Sequence, residues 1–570
     1  MDLNKPRSRT GLLQGLSMGF PREPTLVYLL TFVMGACGIA YEYTLSKISS
    51  DLLGNSVQQW AVIIGLMMFF MGIGSDVQKH IPDRFILDRF VLLELVQGLI
   101  GGFGPIVLFV VFGAYRDYFK VLQYLFIITI GLIIGLEIPL LTRVNERYTS
   151  ELRINIGGVL RADYIGAFAG AVVWIFVLLE HFSLVQIGFL LGALNILVSG
   201  LIFWHFQRQA ARRMLWAPLL VLALAALAFG FAMAPEWSYH AEQRLYVDRI
   251  IFSRTTRYQH IVITRARSGD IYCYINGNLQ FSSFDEHIYH EMLVHPAMQA
   301  APRRNRVLVL GGGDGLAVRE VLKYPDVESV TLVDIDPEMT RLARENPILS
   351  ELNGDSLASE RVGVVRSGAV VEGGTHPVYV RDRTRFKPEK QEPVATVYRV
   401  NIDAARFVEQ VSGLYDVIIL DFPDPNNLEL AKLYSRSFYA LVASKLAPYG
   451  IFVQQSTSPI HSKEAFLCIG RTMRAGGLAA VPYHQNVPTF GEWGWWIGGL
   501  GGAYTREQIR ISLRGIETVD ADTRYLTPEI IASSLSFGKG MLDTGEAEVS
   551  TLLNSAVFHY YRRAVRREAY

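Results

Sequence analysis

The run Arg306-Val-Leu-Val-Leu-Gly-Gly-Gly-Asp-Gly-Leu-Ala-Val-Arg-Glu320 decides the fold of the second half of the chain. Its consecutive apolar residues read as a strand buried on both faces. The glycines form a turn at which backbone can come close to a ligand, and the residues after them open a helix. Twenty residues beyond Asp314, Ser329-Val-Thr-Leu-Val-Asp334 reads as a second buried strand ending in an acid. Strand, loop with Gly311 and Gly313, helix, strand and acid in this order begin a doubly wound α/β sheet. The acid at the second strand's tip can hold two ribose hydroxyls, so the unit reads as a nucleoside site. The pattern fits a dinucleotide and an S-adenosyl sulfonium equally.

Further along, Asn401-Ile-Asp403-Ala404 precedes a helix. The apolar run Tyr415–Leu420 delivers Asp421 and, three residues on, Asp424 to the end of another strand. Ligands of open parallel sheets sit at that end, and acids there suit a cationic substrate. Strands near Gly450–Gln455 and a hairpin-like aromatic stretch from Val487 to Trp496 complete the sheet. Residues 363–399, rich in glycine, proline, lysine and arginine, interrupt it. They read as a solvated excursion loop or, more sharply, as a basic loop for anionic lipid headgroups. Upstream, residues 245–282 alternate apolar and polar positions around Asn276-Gly277, the signature of a small antiparallel sheet with a tight hairpin. An amphipathic helix is expected over Glu286–Ala300.

The first 235 residues have a different texture. Seven apolar stretches run near Thr25–Leu45, Trp60–Gly74, Phe90–Ala114, Val121–Leu141, Ala162–Glu180, Leu184–His205 and Leu215–Ala234. Most approach the roughly 20 residues a helix needs to cross about 30 Å of hydrocarbon. Trp60–Gly74 is short and should extend toward Gln58 or Val77. Gly98 with Gly102, Gly131 with Gly135 and Gly166 with Gly170 have the four-residue spacing that lets helix backbones approach. Glu42, Glu94, Glu137 and Asp163 lie in or at the edges of these spans. Such acids pair with a partner such as Arg161 or a hydroxyl, lie at the interface, or form a site for a cationic amine.

These readings give a multi-pass α-helical membrane domain over 1–235, a small antiparallel β domain over 240–285, a nucleoside-binding Rossmann-like, class I methyltransferase-like domain over 286–515, and a C-terminal extension over 516–570. The formal net charge of +1 gives no reason to expect a nucleic-acid partner. Cys37, Cys273 and Cys468 are too far apart in sequence for a metal-ligand spacing, and no metal or prosthetic group is expected.

Taken together, Tyr258-Gln259, Asn276-Gly277 with Gln280, Asp285-Glu286 with Tyr289-His290-Glu291, the Gly311–Gly315 loop, Asp334-Ile-Asp336, Asp403-Ala404 and Asp421-Phe-Pro-Asp424-Pro425 resemble the spermidine synthase family, the polyamine aminopropyltransferases. The resemblance covers roughly Tyr246 to Trp496, and the seven-span half is similar to that of the family's membrane-fused bacterial branch. It implies transfer of an aminopropyl group from decarboxylated S-adenosylmethionine, as co-substrate, to putrescine or a related amine, with release of methylthioadenosine. It also implies roles. Gln259 and Gln280 face the nucleoside beside the Gly311–Gly313 turn, Asp334 holds the ribose, and Asp403 with Ala404 meets the adenine. Tyr289, His290, Asp314 and Asp424 line the aminopropyl and amine channel, and Asp421 is the general base. The small sheet of such enzymes commonly pairs subunits, so a homo-oligomer is expected. Two departures stand out: Asn426-Asn427-Leu428 replaces the family's glycine-proline pair, and Phe490 stands where many members have a tyrosine. An S-adenosylmethionine-dependent methyltransferase, and a polyamine transporter or sensor with a binding-only soluble domain, are the competing readings.

Sidedness sets two arguments against each other. The N-terminal segment and the second, fourth and sixth loops hold fourteen Lys and Arg residues, the other loops three. This places the N-terminus in the cytoplasm and, after seven crossings, the soluble half outside. The implied co-substrate is cytosolic and favours the opposite: a multi-pass protein of the cell (inner) membrane with a cytoplasmic catalytic domain. A break at Gly101-Gly102-Phe103-Gly104-Pro105, making that span re-entrant, would reconcile the crossing number with the chemistry.

Overall fold

The computed structural model describes residues 23–53, 56–146, 151–206, 213–358, 362–365, 395–543 and 547–568. Two compact units divide the chain, the first ending at Leu245 and the second beginning at Tyr246.

The first unit is helical. Its helices are α1 (Glu23–Leu53), α2 (Ser56–Val77), α3 (Ile86–Ala114), α4 (Arg116–Glu146), α5 (Leu152–Val173), α6 (Leu184–Phe206) and α7 (Arg213–Gln243). A wider π-wound segment, Trp174–Leu178, carries α5 on to His181. Among the described residues, seven helices are long and apolar enough to cross a bilayer. The short second stretch lengthens as expected. The expected break does not occur: α3 runs unbroken through Pro105, because its glycines seat neighbouring helices. Side chains added at Gly98 and Gly102 would strike α6 and α7, at Gly192 and at Leu227. Packing of this kind compensates an internal proline. The other two spaced pairs act likewise, Gly131 and Gly135 on Met67 and Met71, Gly166 and Gly170 on Phe32 and Ala36. The helical unit also runs past the expected boundary, since α7 continues through Pro235 to Gln243.

The second unit opens with a four-stranded antiparallel sheet: β1 (Arg249–Thr255), β2 (His260–Arg265), β3 (Ile271–Ile275) and β4 (Asn278–Ser282). Asn276 and Gly277 both have positive φ, +50° and +77°, the conformation a two-residue type I′ hairpin turn requires. The larger sheet contains β5 (Arg306–Gly311), β6 (Ser329–Asp334), β7 (Val362–Val365), β8 (Thr396–Asn401), β9 (Tyr415–Asp421), β10 (Leu446–Gln455), β11 (Leu478–Val487) and β12 (Gly491–Leu500). Its order is β11-β12-β10-β9-β5-β6-β8-β7, parallel except where β12 joins β10 and β11. β7 and β8 overlap the two ends of the stretch read as the 363–399 excursion. Residues 366–394, which carry most of its basic side chains, lie outside the described residues.

Side-chain alternation gives this sheet two dry faces. Val307, Val309, Val417 and Ile419 pack with helix α8 (Glu286–Ala300) on one side. Leu308, Leu310, Ile418 and Leu420 pack with Phe438, Tyr439 and Phe466 on the other. The strand order reverses beside β5, and there the crevice opens at the strand C-termini, where ligands of such sheets bind. The small sheet packs Ile261, Ile263 and Phe281 against Leu316, Met339 and Leu349, all in helices that follow β5 and β6. The described residues from 516 onward belong to the same unit: Glu291 accepts the backbone N–H groups of Arg524, Tyr525 and Leu526, and Val557 and Phe558 are buried.

Candidate active site

The site grows from the ends of β5, β6, β8 and β9. In the ladder Gly311 lies opposite Asp421, and Asp334 opposite Asn401. Gly311 and Gly312 have φ of +83° and +63°, which only glycine adopts cheaply. A side chain would also have no room: a Cβ on Gly312 would sit 3.0 Å from Asp421 Oδ2, and one on Gly313 2.6 Å from Asp334 Oδ2. The loop thus threads bare backbone between the two acids. Asp334 accepts the N–H groups of Gly313 at 3.1 Å and Asp336 at 2.8 Å. Burial nevertheless pushes its carboxyl up to about 7.

Asp421 accepts the Tyr289 hydroxyl at 2.7 Å. Burial raises it to about 6, and the Asp314 charge adds to this. The His290 charge and the Tyr289 bond act in the opposite direction. His290 is buried and bonded through Nδ1 to the Glu286 carbonyl (2.7 Å) and carboxylate (3.0 Å). Burial would lower it, but Glu286 outweighs that and raises it to about 9, helped by Asp314 and Asp421. Glu286 is in turn gripped by both Arg319 terminal nitrogens at 2.9 Å. Asp314 reaches this group electrostatically and also accepts the Leu316 N–H at 2.9 Å, at the start of the short helix α9 (Leu316–Val321).

Asp424 is likewise raised to about 6 by burial, against hydrogen bonds from Tyr561, Gln455 and Thr457. Gln455 Nε2 lies 3.4 Å from its carboxylate, and Tyr434 Oη is 3.1 Å from the same nitrogen. Phe490 and Trp495 pack on the Tyr289 ring with centroids 6.1 and 5.8 Å away, giving the acids an aromatic side.

The structure therefore brings together Gly311, Gly313, Asp314, Asp334, Tyr289, His290, Asp421 and Asp424. It uses the remaining expected residues differently. The Gln259 amide bonds to Asp336, which also accepts Thr256 Oγ1 at 2.8 Å, so this pair ties the small sheet to the loop after β6. Gln280 donates to the Asn278 carbonyl of its own strand at 3.0 Å. Asp403 caps the helix that begins at Ala404, accepting the Arg406 N–H at 3.1 Å, and is ion-paired with Lys432. Burial works against its charge, but Lys432 and the helix N–H groups hold its carboxyl below the usual range. Sequence reasoning missed the Arg319 clamp, Lys432, Gln455 and Tyr561. Arg319 carries a local signal, one turn into the helix after the glycine loop; Tyr561 carries none. Among the described residues no three His, Cys, Asp or Glu side chains are grouped to hold a metal ion.

The comparisons meet this geometry. Residues 286–370 and 385–502 match the family model described as the spermine/spermidine synthase domain, and the gap between the matched segments falls within the basic excursion. Polyamine aminopropyltransferase 2 of Ralstonia nicotianae is 37% identical over 95% of this chain and 98% of its own length. The chain belongs to the polyamine aminopropyltransferases. The Leptospira interrogans member is 35% identical over 95% of this chain and 99% of its own, so the shared length of these transferases includes the helical half. The spermidine synthase of Thermotoga maritima aligns with 52% of this chain and 87% of its own at 23% identity, with a TM-score of 0.40.

Proposed function

We propose that this membrane-anchored aminopropyltransferase moves the aminopropyl group of decarboxylated S-adenosylmethionine to putrescine or a related amine, with methylthioadenosine as the leaving group. The observation that carries the reading is the placing of Asp421, beside the bare glycine loop and hydrogen-bonded by Tyr289, with Asp424 one turn of chain away. The sulfonium is already an activated leaving group. The amine nitrogen attacks the aminopropyl carbon, the C–N bond forms as the C–S bond breaks, and the proton on nitrogen passes to Asp421. General-base help of this kind contributes roughly 10²–10⁴ in rate. Asp424 and Asp314 hold the ammonium ends, and the Tyr289–Phe490 side receives methylene groups. Asp334 takes the ribose, with Asp403, Ala404, Gln259 and Gln280 around the base. For the two glutamines and Asp403 this requires exchanging the bonds described above for bonds to ligand.

The acids also speak to the choice of sulfonium. A co-substrate that kept its carboxylate would set a negative charge among Asp314, Asp421 and Asp424, whereas the decarboxylated one offers an ammonium. The full chain, incubated with an amine and each sulfonium in turn, should yield methylthioadenosine from decarboxylated S-adenosylmethionine and no product from S-adenosylmethionine. Adenosylhomocysteine in its place would replace this reading with methyl transfer. The seven helices anchor the protein in the cell membrane, with the catalytic unit in the cytosol where its co-substrate is made.

A further inference from the structure

We infer that the helical unit holds a second amine site, built from Glu94, Gln97, Glu137 and Tyr41 and suited to an alkylammonium group. Glu94, Gln97 and Gly101 follow one another at i, i+3 and i+7 on α3, so they share one face. A Cβ on Gly101 would meet the Tyr41 ring of α1, with the hydroxyl 2.9 Å away. A Cβ on Gly38, three residues before Tyr41, would lie 3.6 Å from the Ile134 δ-methyl group of α4. Ile134 is itself three residues before Glu137. Three helix faces thus converge. The Glu137 carboxyl is within hydrogen-bonding reach of Glu94 and is bonded to the Gln97 side chain.

All four residues are buried: relative exposure is 0% for Glu94, 1% for Gln97, 3% for Glu137 and 2% for Tyr41. With both acids ionised, so that neither carboxyl can donate to the other, both Glu94 oxygens, Glu137 Oε1, Gln97 Oε1 and the Tyr41 hydroxyl have no hydrogen-bond partner. Arg161, one of the partners read from sequence, lies exposed on α5. Some other polar groups buried in this unit are partnered, while Ser46, Asn195 and Ser199 also have side-chain atoms without a partner. Trp216 donates to Asp88 at 2.7 Å, Trp174 to Thr44 at 3.0 Å, Gln123 to Ser49 at 2.7 Å and Asn145 to Asn155 at 2.8 Å. What sets this group apart is that two carboxylates, an amide oxygen and a phenol meet with no cationic donor among them. Buried acids of this kind mark sites.

An alkylammonium supplies three N–H donors and one positive charge, and its bonds to carboxylates are charge-assisted. A small void lined by Tyr41, Thr44, Gly101, Gly104, Pro105 and Phe126 lies beside the Tyr41 ring. The choice of an amine rests on the proposed activity; the unpartnered acceptors do not.

The test is equilibrium binding of radiolabelled 1,4-diaminobutane to the full chain in lipid nanodiscs. Saturation should show two sites per chain. Asp421→Asn with Asp424→Asn should leave one, and adding Glu94→Gln with Glu137→Gln should remove it. Tyr41→Phe keeps the ring on Gly101 and should weaken the remaining site about fivefold, the loss of one ordinary hydrogen bond. It decides the matter should the double glutamine variant fail to fold. Three outcomes overturn the inference: a single wild-type site lost with Asp421 and Asp424 alone, remaining binding indifferent to Tyr41→Phe and to the glutamines, or displacement by sodium or potassium chloride as effective as by unlabelled diamine. Methylthioadenosine release measured on the same samples reports the proposed activity separately, so failure of one does not mimic failure of the other.

Discussion

The Tyr289 hydroxyl donates to Asp421 Oδ1 at 2.7 Å, joining helix α8 to the tip of β9 across the mouth of the sheet. This bond fixes one carboxylate oxygen and leaves the other beside Gly312, where a reacting amine can meet it. The bond orients the base, and it also stabilises the ionised form that the base must adopt before it can take a proton.

Asp421→Asn should therefore remove about 10²–10⁴ of the turnover while methylthioadenosine still binds, because Asp334 and the glycine loop are untouched. Rate and methylthioadenosine affinity measured on the same preparation check this, and near-normal turnover excludes Asp421 as the base. The same variant should stabilise the ligand-free protein at neutral pH. A carboxyl raised to about 6 in the fold, from an ordinary value near 4, favours folding only while protonated. That contribution is complete below about pH 4 and is lost as pH rises through about 6. Thermal unfolding of variant and parent should coincide at pH 4 and diverge at pH 8, with the variant higher.

The activity profile carries the second prediction. kcat/KM should rise as pH increases through about 6, as Asp421 ionises. Tyr289→Phe removes the donor that lowers its pKa, so the rise should move to higher pH. A profile unmoved by Tyr289→Phe would show that some other group sets it.

The Glu286 clamp should matter more for stability than for chemistry. Burial would push its carboxyl up, but His290 and Arg319 outweigh burial and hold it at about 2. Its stabilisation is thus present above about pH 4 and is lost as pH falls toward 2. Arg319→Met leaves a buried carboxylate short of its bidentate partner and should cost about 3–5 kcal/mol at pH 7. The difference should shrink in acid. Denaturant unfolding at pH 7 and pH 3 measures it, and an equal loss at both would assign the effect to packing alone.

How far the sequence could be read depended on the range of the interaction. Asn276-Gly277, helix Glu286–Ala300 and the strands ending at Asp334 and Asp421 are dictated by neighbours a few residues away, and they stand where periodicity and turn chemistry put them. Gly101–Pro105 looked like a break because its helix-breaking composition is local, while the packing of α6 and α7 that holds it straight is not. Gln259 and Gln280 were placed by motif, but their amide partners are chosen by tertiary neighbours such as Asp336. Tyr561 was invisible for the same reason. It lies far along the chain from Asp424, on a helix whose approach depends on bonds such as Cys468 to the Glu548 carbonyl and Ser550 N–H to Thr472.

Tyr561 supplies a further prediction. Among the hydrogen bonds to Asp424, the one from Tyr561 lowers its pKa most, and it comes from beyond the residues the family model matches. Tyr561→Phe should raise KM for the amine about fivefold, as loss of one hydrogen bond does, with kcat little changed and methylthioadenosine affinity intact. An unchanged KM would assign Tyr561 to packing.

Sidedness is the last prediction, and the unbroken α3 sharpens it. With the re-entrant escape removed, seven helices that each cross would put the N-terminus and the catalytic unit on opposite sides. Fourteen basic residues in the N-terminal segment and even loops, against three elsewhere, pull that N-terminal side toward the cytoplasm. The reaction pulls the other way, because its sulfonium co-substrate is made in the cytosol and a charged sulfonium does not cross hydrocarbon unaided. An enzyme without its co-substrate does nothing, whereas a charge bias opposes an orientation without forbidding it. The catalytic unit should therefore be cytosolic. A reporter active only in the cytosol, fused after Tyr570, should work, and one active only outside should be silent. The reverse result would place the site outside and require a sulfonium or another nucleoside supplied there. In that case the unpartnered acids at Glu94 and Glu137 become the first place to look for how an amine reaches the other side.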